Sequence, residues 1–344
     1  MRIVVCTSVV PFVLGGGRNI VEWLEQMLRA DGHEVERLYL PSVDAPDLLF
    51  QQMAAYRWID LSSADRIICF RPPSHLIPHP KKVLWFIHHI RTFYDMWDSE
   101  HRPFPNDLKH RGIREALHAA DTAALNEAHA IYANSRVVAD RLRAFNGVSG
   151  EVLYPPIFQP ERFHRGEFND SIVSVCRVVP HKRQHLLIDA MRFTKSRVKL
   201  RLYGASLSPG YSAELRKQIL DADVSDKVTF EDRWISEEEK ADILADCLAM
   251  AYPPEDEDSY GYPTLEAAHS WKPTLTTDDA GGVLEFVEDR VTGVVAQPDP
   301  RSLADAMDML YAERPLARQL GENAHARIDE MNISWPHVIS RVLA

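Results

Sequence analysis

Two rhythms of apolar and polar positions alternate along this chain. Short, nearly unbroken apolar runs at 2–8, 66–70, 83–87, 171–176, 199–203, 248–252 and 274–277 predict buried strands. Further strands are expected at 33–40, 130–133, 151–154, 228–230 and 294–296. Between them, apolar residues recur every three or four positions over 20–28, 47–56, 121–128, 137–145, 184–191, 213–222, 301–311 and 316–331, which predicts helices. Asn134-Ser135 supplies a cap for the helix over 137–145. Strand and helix alternate throughout, as a parallel sheet with helical crossovers requires. A further helix is expected from Ser334-Trp335.

With 344 residues, 45% of them hydrophobic, the chain can bury two ordinary cores. The prolines Pro155-Pro156 make a stiff, extended connector, and the domain boundary is set there: residues 1–156, then 157–331. No apolar stretch approaches the ~20 residues needed to cross a bilayer. The opening MRIVVCTSVV lacks the basic region and cleavage site of a signal peptide, so a cytoplasmic protein is expected. Cys6, Cys69, Cys176 and Cys247 stand far apart without a C-x-x-C pair and read as buried free thiols. Net charge is −11, divided unevenly: residues 1–155 hold 17 Lys and Arg against 18 Asp and Glu, the remainder 22 against 32. An acidic chain without a basic stripe argues against nucleic acid as a partner. The near-neutral first half is compatible with peripheral association at the inner face of a membrane.

The most informative chemistry lies in PPEDEDSYGYPTLE, residues 253–266. An apolar strand ends at two prolines, an acidic loop follows, the chain turns at Gly261, and Pro263 suits the first position of a helix. Asp258 and Glu266 stand eight residues apart with the turn between them, so both carboxylates and the backbone N–H groups of Tyr262 and Thr264 can be aimed at a ligand carrying hydroxyls and phosphate. A carboxylate in a first helical turn is also favoured by the helix dipole alone. Beyond the strand at 171–176, Arg177 and Lys182 lead into a helix, a position suited to holding a diphosphate or simply to facing solvent. His88-His89 ends the strand at 83–87, and ligands bind at the carboxyl ends of strands in open α/β sheets. Gly15-Gly16-Gly17 precedes a helix but does not fit G-x-G-x-x-G. Trp234 follows another strand end, where it could pack or stack on a base, and Gly281-Gly282 precedes a helix containing Glu285. The acidic run from Glu255 to Asp258 is not read as a D-x-D or EF-hand metal site.

DSYGYPTLE followed by DDAGGVLEF resembles the Glu-x7-Glu motif of the retaining glycosyltransferases of family 4, with Asp258 in place of the first Glu. VCRVVPHKRQHLLIDA resembles that family's phosphate-binding stretch, WFIHHIRTFYDMWD its strand-terminal His, and ANSRVVADRLRAFNGVSGEVLYPPI its interdomain crossing. The resemblance runs from the first strand to the last helix. It implies the GT-B fold: α/β, two Rossmann-like domains facing across a cleft, with residues 332–344 returning to the first. It further implies that Arg177 and Lys182 neutralise the donor's diphosphate, that Asp258 and His88 (His89 being the weaker candidate) face the donor sugar, and that Glu266 meets the nucleotide ribose. Gly16 and Gly17 would approach the phosphate, with Gly261, Tyr262 and Thr264 completing the donor site. The implied reaction is transfer of a sugar, with retention and without a metal or other cofactor, from a nucleotide-sugar donor to a saccharide or glycolipid acceptor, as in polysaccharide or glycoconjugate synthesis. A nucleotide-sugar epimerase or hydrolase on the same fold, or a non-catalytic sugar-binding homologue, is the alternative. The nucleotide, the sugar and the acceptor stay open.

Overall fold

The computed structural model describes residues 1–11, 15–42, 45–99, 102–206 and 209–344. Two compact units divide it, Met1–Pro155 with Ile333–Ala344, and Pro156–Asn332.

In the first unit, β1 (Arg2–Val9), β2 (Glu34–Pro41), β3 (Arg66–Cys69), β4 (Lys82–Phe86), β5 (Ala130–Ala133) and β6 (Glu151–Val152) form one parallel sheet in the order β2-β1-β3-β4-β5-β6. Strands β3 and β4 are buried along their whole length because helices cover both faces. Their side chains divide with the two-residue period of a strand. Ile67, Cys69, Leu84 and Phe86 join residues of α2 (Leu49–Arg57), α3 (Leu108–Asn126) and α4 (Arg136–Asn146). Ile68, Val83 and Trp85 join α1 (Gly16–Ala30) and the helix Trp335–Val342. That helix is tied down by polar contacts as well. Arg66 donates to the Val342 carbonyl at 2.6 Å, Tyr132 to the Arg341 carbonyl at 2.8 Å, and the Trp335 ring meets Trp85 edge-on at 6.4 Å.

The second unit repeats the plan with β7 (Ser171–Val175), β8 (Lys199–Tyr203), β9 (Val228–Glu231), β10 (Ala249–Ala251), β11 (Thr274–Thr277) and β12 (Gly293–Ala296). All pairs are parallel, in the order β12-β11-β10-β7-β8-β9. Its crossovers are α5 (Gln184–Ala190), α6 (Pro209–Asp221), α7 (Glu237–Ala245), α8 (Tyr262–His269), α9 (Pro300–Ala312) and α10 (Arg314–Glu330). The chain runs β7 to β9 in one direction and β10 to β12 in the other, so the strand order reverses between β7 and β10. Loops leaving adjacent strands at such a point diverge and open a crevice at the carboxyl edge. In the first unit the same reversal falls between β1 and β3.

Several local expectations are corrected. Helix α3 begins at Leu108, well before Asp121, under the cap of Asp107, whose carboxylate accepts from the His110 N–H. Gly282–Glu285 is one 3-10 turn and not a helix, so no helix dipole is available there. Pro263 is the second residue of α8, and Glu266 the fifth, beyond the first turn. Trp234 is exposed rather than packed, and Cys176 is only partly buried.

Candidate active site

The loops leaving β7 and β10 carry the candidate donor residues of the second unit, at the point where its strand order reverses. After β7, a 3-10 turn, Pro180–Lys182, brings Lys182 back against the β10 loop. Its ammonium is buried, lies over the Tyr252 ring at 4.9 Å, donates to the Tyr252 hydroxyl at 2.6 Å, and pairs with Glu257. Tyr252 in turn donates to Glu257 at 3.2 Å. Burial pushes the Glu257 carboxyl up, but the charge and hydrogen bond of Lys182 outweigh it and hold the group below its ordinary value. Burial, reinforced by the Glu257 charge, drives the Tyr252 phenol well above its usual range, so it stays a donor.

Backbone contacts fix the position of Glu257. Its N–H reaches the Ala280 carbonyl at 3.3 Å, and its own carbonyl accepts from Gly282 N–H at 2.8 Å. Gly281 has φ 63°, and a Cβ there would stand 2.6 Å from the Glu257 carbonyl oxygen; one on Gly282 would stand 2.6 Å from the Ser259 Cα. The glycine pair is therefore a seat for the acidic loop, and Gly282 spends its N–H on that loop. Arg183, at φ 55°, grips Asp279 with two 2.8 Å hydrogen bonds and ties the β7 loop to the segment before the glycines.

Arg177 is exposed, and its guanidinium forms no ion pair among the described residues. Asp258 is half-buried in the same loop, but the carboxylate on Lys182 belongs to its neighbour Glu257. Glu257 carries only a weak signal in the sequence, a Glu one residue earlier in an irregular acidic loop. Asp256 and Asp258 do stand two apart, contrary to the reading of the acidic run, and Asp256 is left-handed at φ 42°. Among the described residues no three His, Cys, Asp or Glu side chains gather as metal ligands.

At the head of α8, Gly261 has φ 70°, and a Cβ there would lie 2.5 Å from the Tyr252 ring. Tyr262 opens the helix, and its phenol is pushed up by burial and then by the charge of Glu266. Thr264 spends its N–H on the Gly261 carbonyl at 3.2 Å, so the expected open N–H is taken. Its buried hydroxyl instead has no partner among the described residues. Glu266 is buried and accepts at 2.6 Å from Lys240 of α7, a lysine with no motif to mark it in the sequence.

In the first unit, His88 leaves the end of β4 with its Nδ1 donating to the His89 carbonyl at 2.6 Å, which turns Nε2 into an acceptor. Burial, then the positive charge of Arg71, push its pKa down to about 3, so it is neutral near pH 7. His89 is held in place through one face and one nitrogen: Nε2 is bonded to Asn146 at 2.8 Å and the ring is stacked on Tyr94 at 4.2 Å, while its buried Nδ1 has no partner among the described residues. Gly16 and Gly17 begin α1, and a Cβ on Gly17 would be in ordinary contact with the side chains of Arg71 and Ile87. Gly17, Arg71 and the end of β4 therefore share one corner of that sheet's carboxyl edge.

This fold is that of the GT-B glycosyltransferases, two Rossmann-like units each on a parallel sheet. Sucrose-phosphate synthase from Thermosynechococcus elongatus superposes with a TM-score of 0.79 at 18% identity, over 98% of this chain and 96% of that one. HepE of Anabaena, solved with UDP and glucose, gives 0.73 at 17% identity over 99% and 100%. Residues 159–327 match the family described as glycosyl transferases group 1, a stretch that holds Arg177, Lys182, Glu257, Asp258, Gly261 and Glu266. Human alpha-1,3/1,6-mannosyltransferase ALG2 is 24% identical over 305 residues, 79% of this chain and 69% of that protein. The GDP-mannose-dependent alpha-(1-6)-phosphatidylinositol monomannoside mannosyltransferase of Mycobacterium tuberculosis is 32% identical over 173 residues, 47% of this chain and 43% of that protein. No described helix is long and apolar enough to cross a membrane.

Proposed function

We propose that the chain is a glycosyltransferase that moves a sugar from a nucleotide-sugar donor to the hydroxyl of a saccharide or glycolipid acceptor, with retention and without a metal. The observation that carries this reading is the union of Lys182, Glu257 and Tyr252 at the strand reversal of the segment that matches the group 1 family. A leaving diphosphate makes the largest electrostatic demand of such a reaction. Arg177 and the remaining ammonium proton of Lys182 meet it, while Glu257, with Asp258 beside it, offers carboxylate oxygens to sugar hydroxyls. His88, neutral with Nε2 free to accept, is the candidate sugar contact of the first unit. The donor's own phosphate takes the acceptor proton, so no protein base is assigned.

Two relatives are named as alpha-mannosyltransferases and one as GDP-mannose-dependent, which makes GDP-mannose the first donor to test and UDP-glucose the second. An α-linkage made from an α-linked donor is retention. The test is a thermal-shift screen of the purified chain against GDP-, UDP-, dTDP- and ADP-sugars, since a ligand that binds only the folded state raises its stability. One donor is expected to raise the melting temperature and, with acceptor, to yield a product whose anomeric proton keeps the donor's configuration by NMR, with EDTA leaving the rate unchanged. Release of nucleotide without sugar transfer to any acceptor would make it a hydrolase or epimerase, and binding without turnover a sugar-binding homologue.

A further inference from the structure

We propose that Lys240 is a positioning residue for donor recognition: by engaging one oxygen of the buried Glu266 carboxylate it aims the other oxygen at the nucleotide's ribose. This rests on the nucleotide-sugar reading above and adds to it a residue on a different helix.

Four side chains of alternating sign form a row. Arg162, from the turn Pro160–Arg162, lies 3.6 Å from Glu237; Lys240 donates to Glu237 at 2.9 Å and to Glu266 at 2.6 Å. Exposure falls from Glu237 to Glu266. Glu237 is 36% exposed, whereas Lys240 is 13% and Glu266 6% exposed at their side chains. An ion pair this dry is a poor way to hold two helices together, because desolvating both charges offsets their attraction, and apolar side chains of similar volume would serve at least as well. The helix dipole does not account for Glu266 either, since it is the fifth residue of α8. What the pair does achieve is a defined carboxylate. Oε1 is committed to Lys240, and Oε2 has no hydrogen bond among the described residues. An open oxygen on a buried carboxylate whose other oxygen is held by a lysine, beyond the carboxyl edge of β10, is an arrangement that a ligand hydroxyl would complete. Burial pushes the Glu266 carboxyl up towards its neutral form, and the charge of Lys240 acts against that push.

The test measures recognition of the ribose alone. GDP, UDP, dTDP and ADP are titrated calorimetrically into the full chain, and whichever binds is compared with its 2′,3′-dideoxy form. The wild type is expected to prefer the ribonucleotide by about ten- to a hundredfold, the size of one hydrogen bond to a charged group. Lys240→Met and Lys240→Gln should bring the ratio close to one, as should Glu266→Gln. The double variant Lys240→Met/Glu266→Gln should lose no more than Glu266→Gln alone, because both changes act on one contact. A merely structural lysine would instead weaken both nucleotides equally and leave the ratio at its wild-type value, which overturns the proposal, as would additive losses in the double variant. Should Lys240→Met fail to fold by circular dichroism, Lys240→Gln, which keeps a donor without the charge, gives the same reading. A wild type that binds none of GDP, UDP, dTDP and ADP would overturn the nucleotide-sugar reading and this inference with it; ribose preference untouched by either Lys240 variant overturns the inference alone.

Discussion

The two candidate phosphate cations make opposite demands on the fold. Arg177 is exposed and free of ion pairs among the described residues, so Arg177→Ala should leave the melting temperature unchanged while lowering donor turnover by roughly 10²–10³-fold, the usual loss for one preorganised charge partner. Lys182→Ala should lower turnover as far and the melting temperature as well, because it strands the partly buried Glu257 without its cation. Equal melting temperatures for both variants would show that the Lys182–Glu257 pair carries no structural weight. The motif spacing places Asp258 eight residues before Glu266 as the sugar contact, and the structure puts its neighbour Glu257 on the lysine. The eight-residue interval was legible, but a loop holding a left-handed Asp256 and seated on two glycines does not keep the side-chain alternation of a strand, so the pattern could not say which of two adjacent acids faces the cation. His88 gives a pH signature. Its folded pKa of about 3 lies below its ordinary 6.5, so between those values the unfolded chain binds the proton and the folded chain does not. Stability should therefore fall as pH drops below ~6.5 and go on falling towards ~3, by at most about 1.4 kcal/mol per pH unit from this group. Urea midpoints at pH 7.5, 6 and 5 should decline less steeply in His88→Asn; an identical slope would mean that His88 titrates normally.

At the scale of elements, the start of α8 carries the most constraint. Gly261 combines φ 70° with a Cβ position only 2.5 Å from the ring of Tyr252, the same ring that lies under Lys182. Gly261→Ala is thus expected to cost about 1–3 kcal/mol in stability and to move Tyr252 and Lys182 together, cutting donor turnover. Gly112 is the contrast, since it lies within α3 and a Cβ there meets nothing within 4 Å. Gly112→Ala should raise stability by roughly 0.5–1 kcal/mol and leave turnover alone. Chemical denaturation with donor assays on both variants checks the pair, and a stable, active Gly261→Ala would remove the strained turn from the account. The same helix α3 shows where pattern reading stopped short. Its first half turns mostly polar and exposed residues to solvent and anchors itself through a few positions such as Leu117, so the apolar period becomes strong only towards Ala124 and Leu125. Strands buried on both faces were legible for the opposite reason, as continuous apolar runs such as Ile67 to Cys69.

On the scale of the whole molecule, each unit closes its own hydrophobic core, and the first does so with residues from both ends of the sequence. Trp335, Val338 and Val342 are 5%, 0% and 0% exposed and pack with Ile20, Leu24, Val83 and Trp85, so the helix Trp335–Val342 is part of the first unit's core although the second unit intervenes in the chain. Burying each such side chain fully is worth about 1.5–3 kcal/mol, and the loss of three would be a large share of the ~5–15 kcal/mol that holds a domain folded. Removing residues 333–344 takes away those three side chains, the hydrogen bond from Arg66 and the edge contact on Trp85. It takes nothing from the core made by β7 to β12 with α5, α6, α9 and α10. Calorimetry of the shortened chain should therefore show two unfolding transitions where loss of the helix has separated them, the lower one belonging to the first unit. Residues 156–332 alone should fold and bind the nucleoside diphosphate, because Arg177, Lys182, Glu257, Lys240 and Glu266 all lie inside that unit. A fragment that folds by circular dichroism yet binds neither GDP nor UDP, when the full chain binds one of them, would mean that nucleotide recognition draws on the first unit as well, and the Gly17, Arg71 and His88 corner would be the first place to look for it.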